Sequence, residues 1–192
     1  MKGFLSLSLT ALATSLVSLI PIQQAKANIF VEQQLDQNTL VAVAVPFGYH
    51  NHSLTILEQI PGQKRCWREQ GNFPVTIDPL LLSFDFTGSC NRATDTNGYS
   101  IRLDGYDRTN YRLNIVKRDG ELYLIATHQD PHQPELFIGR SYGLHHNNHD
   151  QSLTKIFLNP GWQINKHVYQ DKTLGHFYIS GNSRAIAQNS LF

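Results

Sequence analysis

Histidine offers the most chemistry in this chain: nine occur in 192 residues, and three of them crowd together. His145, His146 and His149 stand beside Asp150 in a Gly- and Asn-rich stretch, close enough in sequence to share one metal ion. A metal site needs neutral imidazoles held rigid by outer partners, and a polar loop supplies ligands without that rigidity. The expectation is a solvated loop with incidental metal affinity, and no resident cofactor. A second group follows from strand geometry. If residues 162–169 and 174–180 form a hairpin about Asp171 and Lys172, Gln170 pairs with Thr173. His167 then falls across from His176, and Asn165 from Tyr178. Opposed residues have Cβ atoms about 5 Å apart, so Asn165, His167, Tyr169, His176 and Tyr178 share one face. Ile164, Val168, Phe177 and Ile179 then face the core. An exposed strip of rings, amides and imidazoles suits polysaccharide, because flat rings stack on sugar faces and polar groups bond hydroxyls. An ordinary solvated sheet face has the same composition.

Two hydrolytic arrangements are also spelled out. Gly139-Arg140-Ser141-Tyr142-Gly143 matches the G-x-S-x-G nucleophile pattern, and Asp171 and His176 follow in the hydrolase order. That pattern works on a strand-to-helix elbow, and Leu144-His145-His146-Asn147-Asn148 is no helix, so a chance match is expected. Asp85 and Asp104 offer carboxylates, with Arg102 and Asp104 on one face of a strand. Glycoside hydrolysis needs two carboxyl groups roughly 5–9 Å apart across a cleft, and an Asp beside an Arg reads first as a structural ion pair. Asp95-Thr96-Asn97-Gly98 is a calcium-loop fragment whose preceding ligand position is Ala93; a tight turn explains it.

The elements that must position these residues are short strands. Residues 40–45, 54–60, 80–87, 99–103, 111–117, 121–127, 136–140, 153–158, 162–169 and 174–180 are apolar or alternating and end at turn residues. Within 80–87, Leu80, Leu82, Phe84 and Phe86 share one face and Leu81, Ser83, Asp85 and Thr87 the other. Arg118-Asp119-Gly120 marks a hairpin loop, since Asp-Gly tolerates positive φ. No stretch has a convincing 3.6-residue period; a short helix over residues 36–41, with Asp36 as its cap, is the weaker reading there. The fold class expected is all-β: an antiparallel β-sandwich or barrel-like single domain over residues 28–180, with residues 181–192 a flexible tail.

The first 27 residues read as a signal peptide: Lys2, an apolar run over residues 4–20, Pro21, then Ala25-Lys26-Ala27 as a small-x-small cleavage site. Cleavage after Ala27 leaves a chain beginning at Asn28. The leader takes Lys2 and Lys26 and no acid, so the remainder holds 14 basic against 15 acidic residues. Near-neutral charge without a basic run gives no reason to expect nucleic acid or an anionic membrane as partner. After cleavage no stretch is apolar enough to span a bilayer as a helix. Phe192 at the terminus resembles the end of an outer-membrane barrel, but such barrels need long strands with a lipid-facing side. Cys66 and Cys90 are the two cysteines. In an oxidising compartment an isolated pair forms a disulfide; the alternative is a catalytic thiol at Cys66, flanked by Lys64, Arg65 and Arg68.

Several segments together resemble an uncharacterised family of secreted cyanobacterial proteins, a domain sometimes found beside S-layer homology domains. They are Leu54-Thr55-Ile56-Leu57-Glu58-Gln59, Cys66-Trp67, the run from Asp78 through Cys90, Asn97-Gly98-Tyr99-Ser100-Ile101-Arg102, Ile138-Gly139-Arg140, Pro160-Gly161-Trp162 and Leu174-Gly175-His176. The resemblance implies export and a place at the cell envelope or outside it, and it brings no catalytic residues. It places both cysteines in matching segments, which suits a bridge, and casts Trp67 and Trp162 as core anchors. This chain has no S-layer homology domain, so anchoring by that route is not expected. The reading is an exported, non-enzymatic binding or structural module with polysaccharide as ligand class. The alternatives are an envelope glycan or ester hydrolase, and a periplasmic metal-binding protein.

Overall fold

Alternation along the apolar segments builds two curled sheets that share one core. The computed structural model describes residues 31–80, 88–94, 99–144, 152–170 and 172–189. In chain order the strands are β1 (Val31–Gln34), β2 (Leu40–Phe47), β3 (Asn51–Gln59), β4 (Trp67–Gln70), β5 (Thr76–Pro79), β6 (Cys90–Thr94) and β7 (Ser100–Leu103). Then follow β8 (Tyr106–Asp107), β9 (Tyr111–Arg118), β10 (Glu121–His128), β11 (Leu136–Arg140), β12 (Leu153–Leu158), β13 (Trp162–Tyr169), β14 (Lys172–Gly181) and the helix α1 (Ser183–Asn189). The expected strand at 80–87, with Asp85, lies outside the described residues beyond Leu80, as does the 95–98 turn.

Six strands close a barrel in the order β11-β10-β9-β3-β2-β12, and the β11–β12 pairing completes the ring. Leu40, Ala42 and Ala44 of β2, Leu54 and Ile56 of β3, and Leu122, Leu124 and Ala126 of β10 belong to its buried core. A barrel this narrow is filled by side chains, and alanines fit where strands crowd. Val41 and Val43 point the other way into a second cluster with Leu57 and Ile77. That cluster is covered by the β4–β5 ribbon, which pairs with β12. Strand β2 is therefore buried on both faces, which is why residues 40–45 read as a continuous apolar run. The Asp119–Gly120 hairpin forms as expected, with Arg118 opposite Glu121 and φ of 49° and 77° in the loop.

The second sheet, ordered β1-β13-β14-β7-β8, is a half-barrel. All its pairings are antiparallel except β14–β7. Ile101, Ile164, Phe177 and Ile179 turn inward and join the barrel interior in one continuous cluster. Trp162 belongs to that cluster and Trp67 packs on the second one, as core anchors. Cys66 and Cys90 form the disulfide, Cα atoms 6.0 Å apart, tying the start of β4 to the start of β6.

Three local expectations change. The short helix near Asp36 is a single 3-10 turn, Gln37–Thr39, capped by Asp36. It stops there because Leu40 enters the barrel, and the Gln37 amide pins the turn to β13 through both the N–H and the C=O of Ile164. The chain after Gly181 is no frayed tail up to Asn189. It winds into α1, where Asp104 Oδ1 accepts from Ser183 N at 2.9 Å, Asn182 accepts from Ala185 N, and Ile186 packs on the core. Asp104 itself is a turn residue with φ 53°, beyond the end of β7, so it does not share a strand face with Arg102. No helix among the described residues is long and apolar enough to cross a membrane.

Candidate functional site

Strands β13 and β14 place the predicted strip together but not in solvent. Asn165 pairs with Tyr178 as expected. At the hairpin end, Tyr169 pairs with Lys172 rather than Gln170 with Thr173. The ladder recovers because Leu174, Gly175 and His176 all lie opposite His167, between the pairs Lys166–Phe177 and Val168–Thr173. Such a bulge re-aims a side chain, and the His167 and His176 rings come to rest with centroids 6.0 Å apart.

This face is buried, which corrects the expectation of an exposed strip. Asn165 and Tyr178 are 0 % exposed and His167 8 %. Strand β1 extends the sheet and sets Glu32 opposite His167. Arg102, 3 % exposed, lies across the face from β7. Its Nη1 donates to the Tyr178 hydroxyl at 3.3 Å and its Nε to the Gly105 carbonyl at 2.9 Å, with Asp107 at 3.5 Å. Asn165 donates to Glu32 and to Ser180 Oγ, and His167 stands edge-on to Tyr178, centroids 3.7 Å apart. His176 meets Ser100 Oγ at 3.2 Å. Only Tyr169, at the open end, keeps substantial exposure.

Burial sets the electrostatics. It lowers the pKa of His167 and of His176, with Asp107 opposing in both cases, so both imidazoles are neutral at neutral pH. It pushes Tyr178 up to about 12 against the pull of Arg102. The cluster is thus a polar network satisfied from within, holding a strongly curled sheet in register.

The other predicted residues separate. Ser141 is fully buried: its hydroxyl accepts from Leu122 N at 2.9 Å and donates to the Gly143 carbonyl at 2.6 Å. A serine used in this way at the end of β11 is not a nucleophile on an exposed elbow. His145, His146 and His149 lie outside the described residues. Among the described residues no three His, Cys, Asp or Glu side chains converge to hold a metal ion.

An exposed aromatic face does exist, on the outer wall of the barrel. Residues paired across neighbouring strands share a face, so Tyr123 of β10, Arg140 of β11 and Phe157 of β12 form one row. Phe73, from the turn before β5, and Tyr142, just past β11, join Phe157 in a triad with centroids 5.4 to 6.0 Å apart. The Arg140 guanidinium lies over the Tyr142 ring at 4.2 Å, with Glu121 3.7 Å from its Nε. Lys155 lies over Phe157 at 4.9 Å and is held by both oxygens of Glu69 at 2.8 Å. Phe137 extends the patch beside Tyr123. Phe73 is 66 % exposed, Phe137 49 % and Tyr142 38 %. Rings gathered outward with polar and charged groups between them make an exposed aromatic patch, the kind of surface that marks interaction sites, rather than a core.

A model of a protein family of unknown function, DUF3747, matches residues 8–184. The chain belongs to the DUF3747 family. No curated protein and no solved structure matches it. The DUF3747 match spans both the buried polar network and the outer aromatic face. The aromatic face of this DUF3747 chain was missed in the sequence because its members come from four separate segments. The signal that could have found it was Phe73, Phe137 and Tyr142 as large rings close to turn residues, where burial is hardest.

Proposed function

We propose that the domain is a non-enzymatic binding module, exported to the cell envelope or beyond it, that holds polysaccharide against the outer barrel wall. The observation that carries this reading is the row Tyr123–Arg140–Phe157 with Phe73 and Tyr142 beside it. Rings stack on the apolar faces of sugars, while Arg140, Glu121, Lys155 and Glu69 offer hydroxyl partners around them. Each cation has a carboxylate neighbour, so the face carries no net charge and favours a neutral or weakly charged glycan. The leader over residues 1–27 and the resemblance to secreted cyanobacterial proteins support the envelope address.

Co-sedimentation with isolated envelope polysaccharide tests the reading. Wild-type protein is expected to bind, the double variant Phe73→Ala, Tyr142→Ala to bind at least about tenfold more weakly, and Tyr169→Ala to bind like wild type. Retention by the double variant, or loss in Tyr169→Ala alone, would return the ligand to the β13–β14 side. No binding by wild type ends the glycan reading. Repeating the assay with a chelator asks whether a metal takes part.

A further inference from the structure

One irregularity in the pairing of β11 brings its outward residues into line. On a regular strand Phe137 and Arg140 would face opposite sides. Against β10, however, Leu124 pairs with Gly139 and the next residue, Ile125, pairs with Phe137. Ile138 is therefore an extra residue, turned inward at 0 % exposure. Such a bulge re-aims its neighbours, and here it sets Phe137 outward on the same side as Arg140. Alternation then resumes, with Ser141 buried and Tyr142 exposed. Phe73 follows, its carbonyl carbon 3.7 Å from where a Cβ on Gly143 would be and its ring 5.4 Å from that of Tyr142. The order along the wall is thus Phe137, Arg140, Tyr142, Phe73.

The line has a defined end and a defined shape. Just before Phe137, the Glu135 carboxylate is held by Arg118 through both oxygens, at 2.7 and 3.1 Å, which closes the apolar run with an ion pair. The rings along it are not coplanar: Phe137 makes 84° with Tyr123, and Phe73 makes 66° with Tyr142. A flat array of packed chains, as in a crystalline polysaccharide, needs rings in one plane. A single chain can instead turn each sugar face to its own ring. From Phe137 to Tyr142 the strand rises about 15 Å, which with Phe73 gives room for about four sugars of an extended chain.

We infer that the ligand is a single extended stretch of glycan, about four sugars long, lying along β11 from Phe137 to Phe73 with its middle over Arg140. This chain form, course and length rest on the glycan reading of the aromatic face.

Oligosaccharides of graded length, from disaccharide to octasaccharide, measure the site by titration calorimetry. They are made by partial acid hydrolysis of the envelope polysaccharide that the domain sediments with. Affinity is expected to rise about tenfold from disaccharide to tetrasaccharide and to level off beyond it. Phe137→Ala is expected to bind the disaccharide, held by Phe73 and Tyr142, like wild type, yet to gain nothing from the added sugars. Phe137 is half exposed and outside the core clusters, so an unchanged Tm is expected of that variant. Affinity independent of length overturns the extended site, and affinity still climbing at the octasaccharide overturns its ends. A wild-type length profile in Phe137→Ala overturns the course along β11. Sedimentation with the polysaccharide but no binding of any oligosaccharide overturns the single-chain ligand and leaves the glycan reading standing. Failure of wild type to sediment with the polysaccharide removes both.

Discussion

Arg102 on β7 and Glu32 on β1 are separated by two intervening strands, yet Nη1 and Oε2 lie 3.8 Å apart. Strands in a sheet are spaced about 4.8 Å apart, so two long side chains meet over that span because the sheet curls into a half-barrel. Arg102 thus ties the polar face together, with Asp107 at its other side. Replacing it by Met keeps the stem but takes the donor from the Gly105 carbonyl and leaves Glu32 with Asn165 alone. Because both carboxylates keep some solvent, the expected loss is about 2–3 kcal/mol, below that of a fully buried pair. Urea unfolding of Arg102→Met measures it, and a loss under about 0.5 kcal/mol would mean the network is ornamental.

Stability should fall in mild acid. His167 and His176 sit below the ordinary imidazole value of 6.5, chiefly through burial, and Asp107 opposes at both. Arg102 lowers His167 further, while Glu32 opposes. His52 shifts the same way, through burial and then Lys117. Between the folded and unfolded values the unfolded chain binds more protons, so stability rises with pH there. It is fully present above 6.5 and declines as pH drops below it, until the imidazoles charge within the fold. Urea midpoints at about pH 7.5 and 5.5 are expected to differ in that sense, and a His167→Gln, His176→Gln double variant to shrink the difference. The same difference in the double variant would assign the pH dependence to His52 or to other groups.

The all-β fold was legible because its strands announce themselves locally: 153–158 and 162–169 stand where alternation puts them. The cysteine pair was legible by number alone. The burial of the β13–β14 strip was not. Its cover, Glu32, comes from a four-residue polar strand without an apolar period, and the Asn165–Glu32 contact spans 133 positions. The polar sequence of the strip is the same whether water or Arg102 satisfies it. The aromatic face was hidden for a related reason. Arg140 meets Phe157 only through the β11–β12 register, which no local signal specifies. Residue Ser141 shows the converse, a motif match whose hydroxyl is consumed by backbone.

Reduction of Cys66–Cys90 should cost about 3–4 kcal/mol, the chain-entropy value for a loop of this size; the sequence separation is 24. The bridge joins β4 to β6, each of which pairs with a single partner strand among the described residues, so these strands should loosen first. Hydrogen exchange with and without reductant checks both points: faster exchange is expected at Asn91–Ala93 and Arg68–Gln70, with the barrel strand β10 little changed. Uniform acceleration would instead make the disulfide part of global stability.

Ser141→Ala should behave as a structural lesion. It leaves the Leu122 amide without its side-chain acceptor in the core, an expected loss of about 1–2 kcal/mol. Retained polysaccharide binding at temperatures below the lowered Tm is the anticipated result. Esterase activity in wild type that disappears in folded Ser141→Ala would revive the hydrolase reading.

Gly139 gives the sharpest test of how the barrel supports the aromatic face. It lies opposite Leu158 in the seam that closes the ring. A Cβ there would sit 2.5 Å from the Phe157 carbonyl oxygen and 3.0 Å from Ile156 Cγ2. The nearest obstacle is backbone, which cannot swing aside as a side chain can, so Gly139→Ala must part β11 from β12. Overpacking of this kind costs about 1–3 kcal/mol, and the adjacent Arg140–Phe157 pair loses its register with it. The variant is therefore expected to lose thermal stability and glycan binding together. Gly181→Ala supplies the control: its Cβ would press on Trp162 and Ile186, both side chains that can shift, and meets no backbone of β11 or β12. It should lower Tm yet leave binding to the folded protein intact. Equal loss of binding in both variants would show that general destabilisation, rather than the barrel seam, governs the aromatic face.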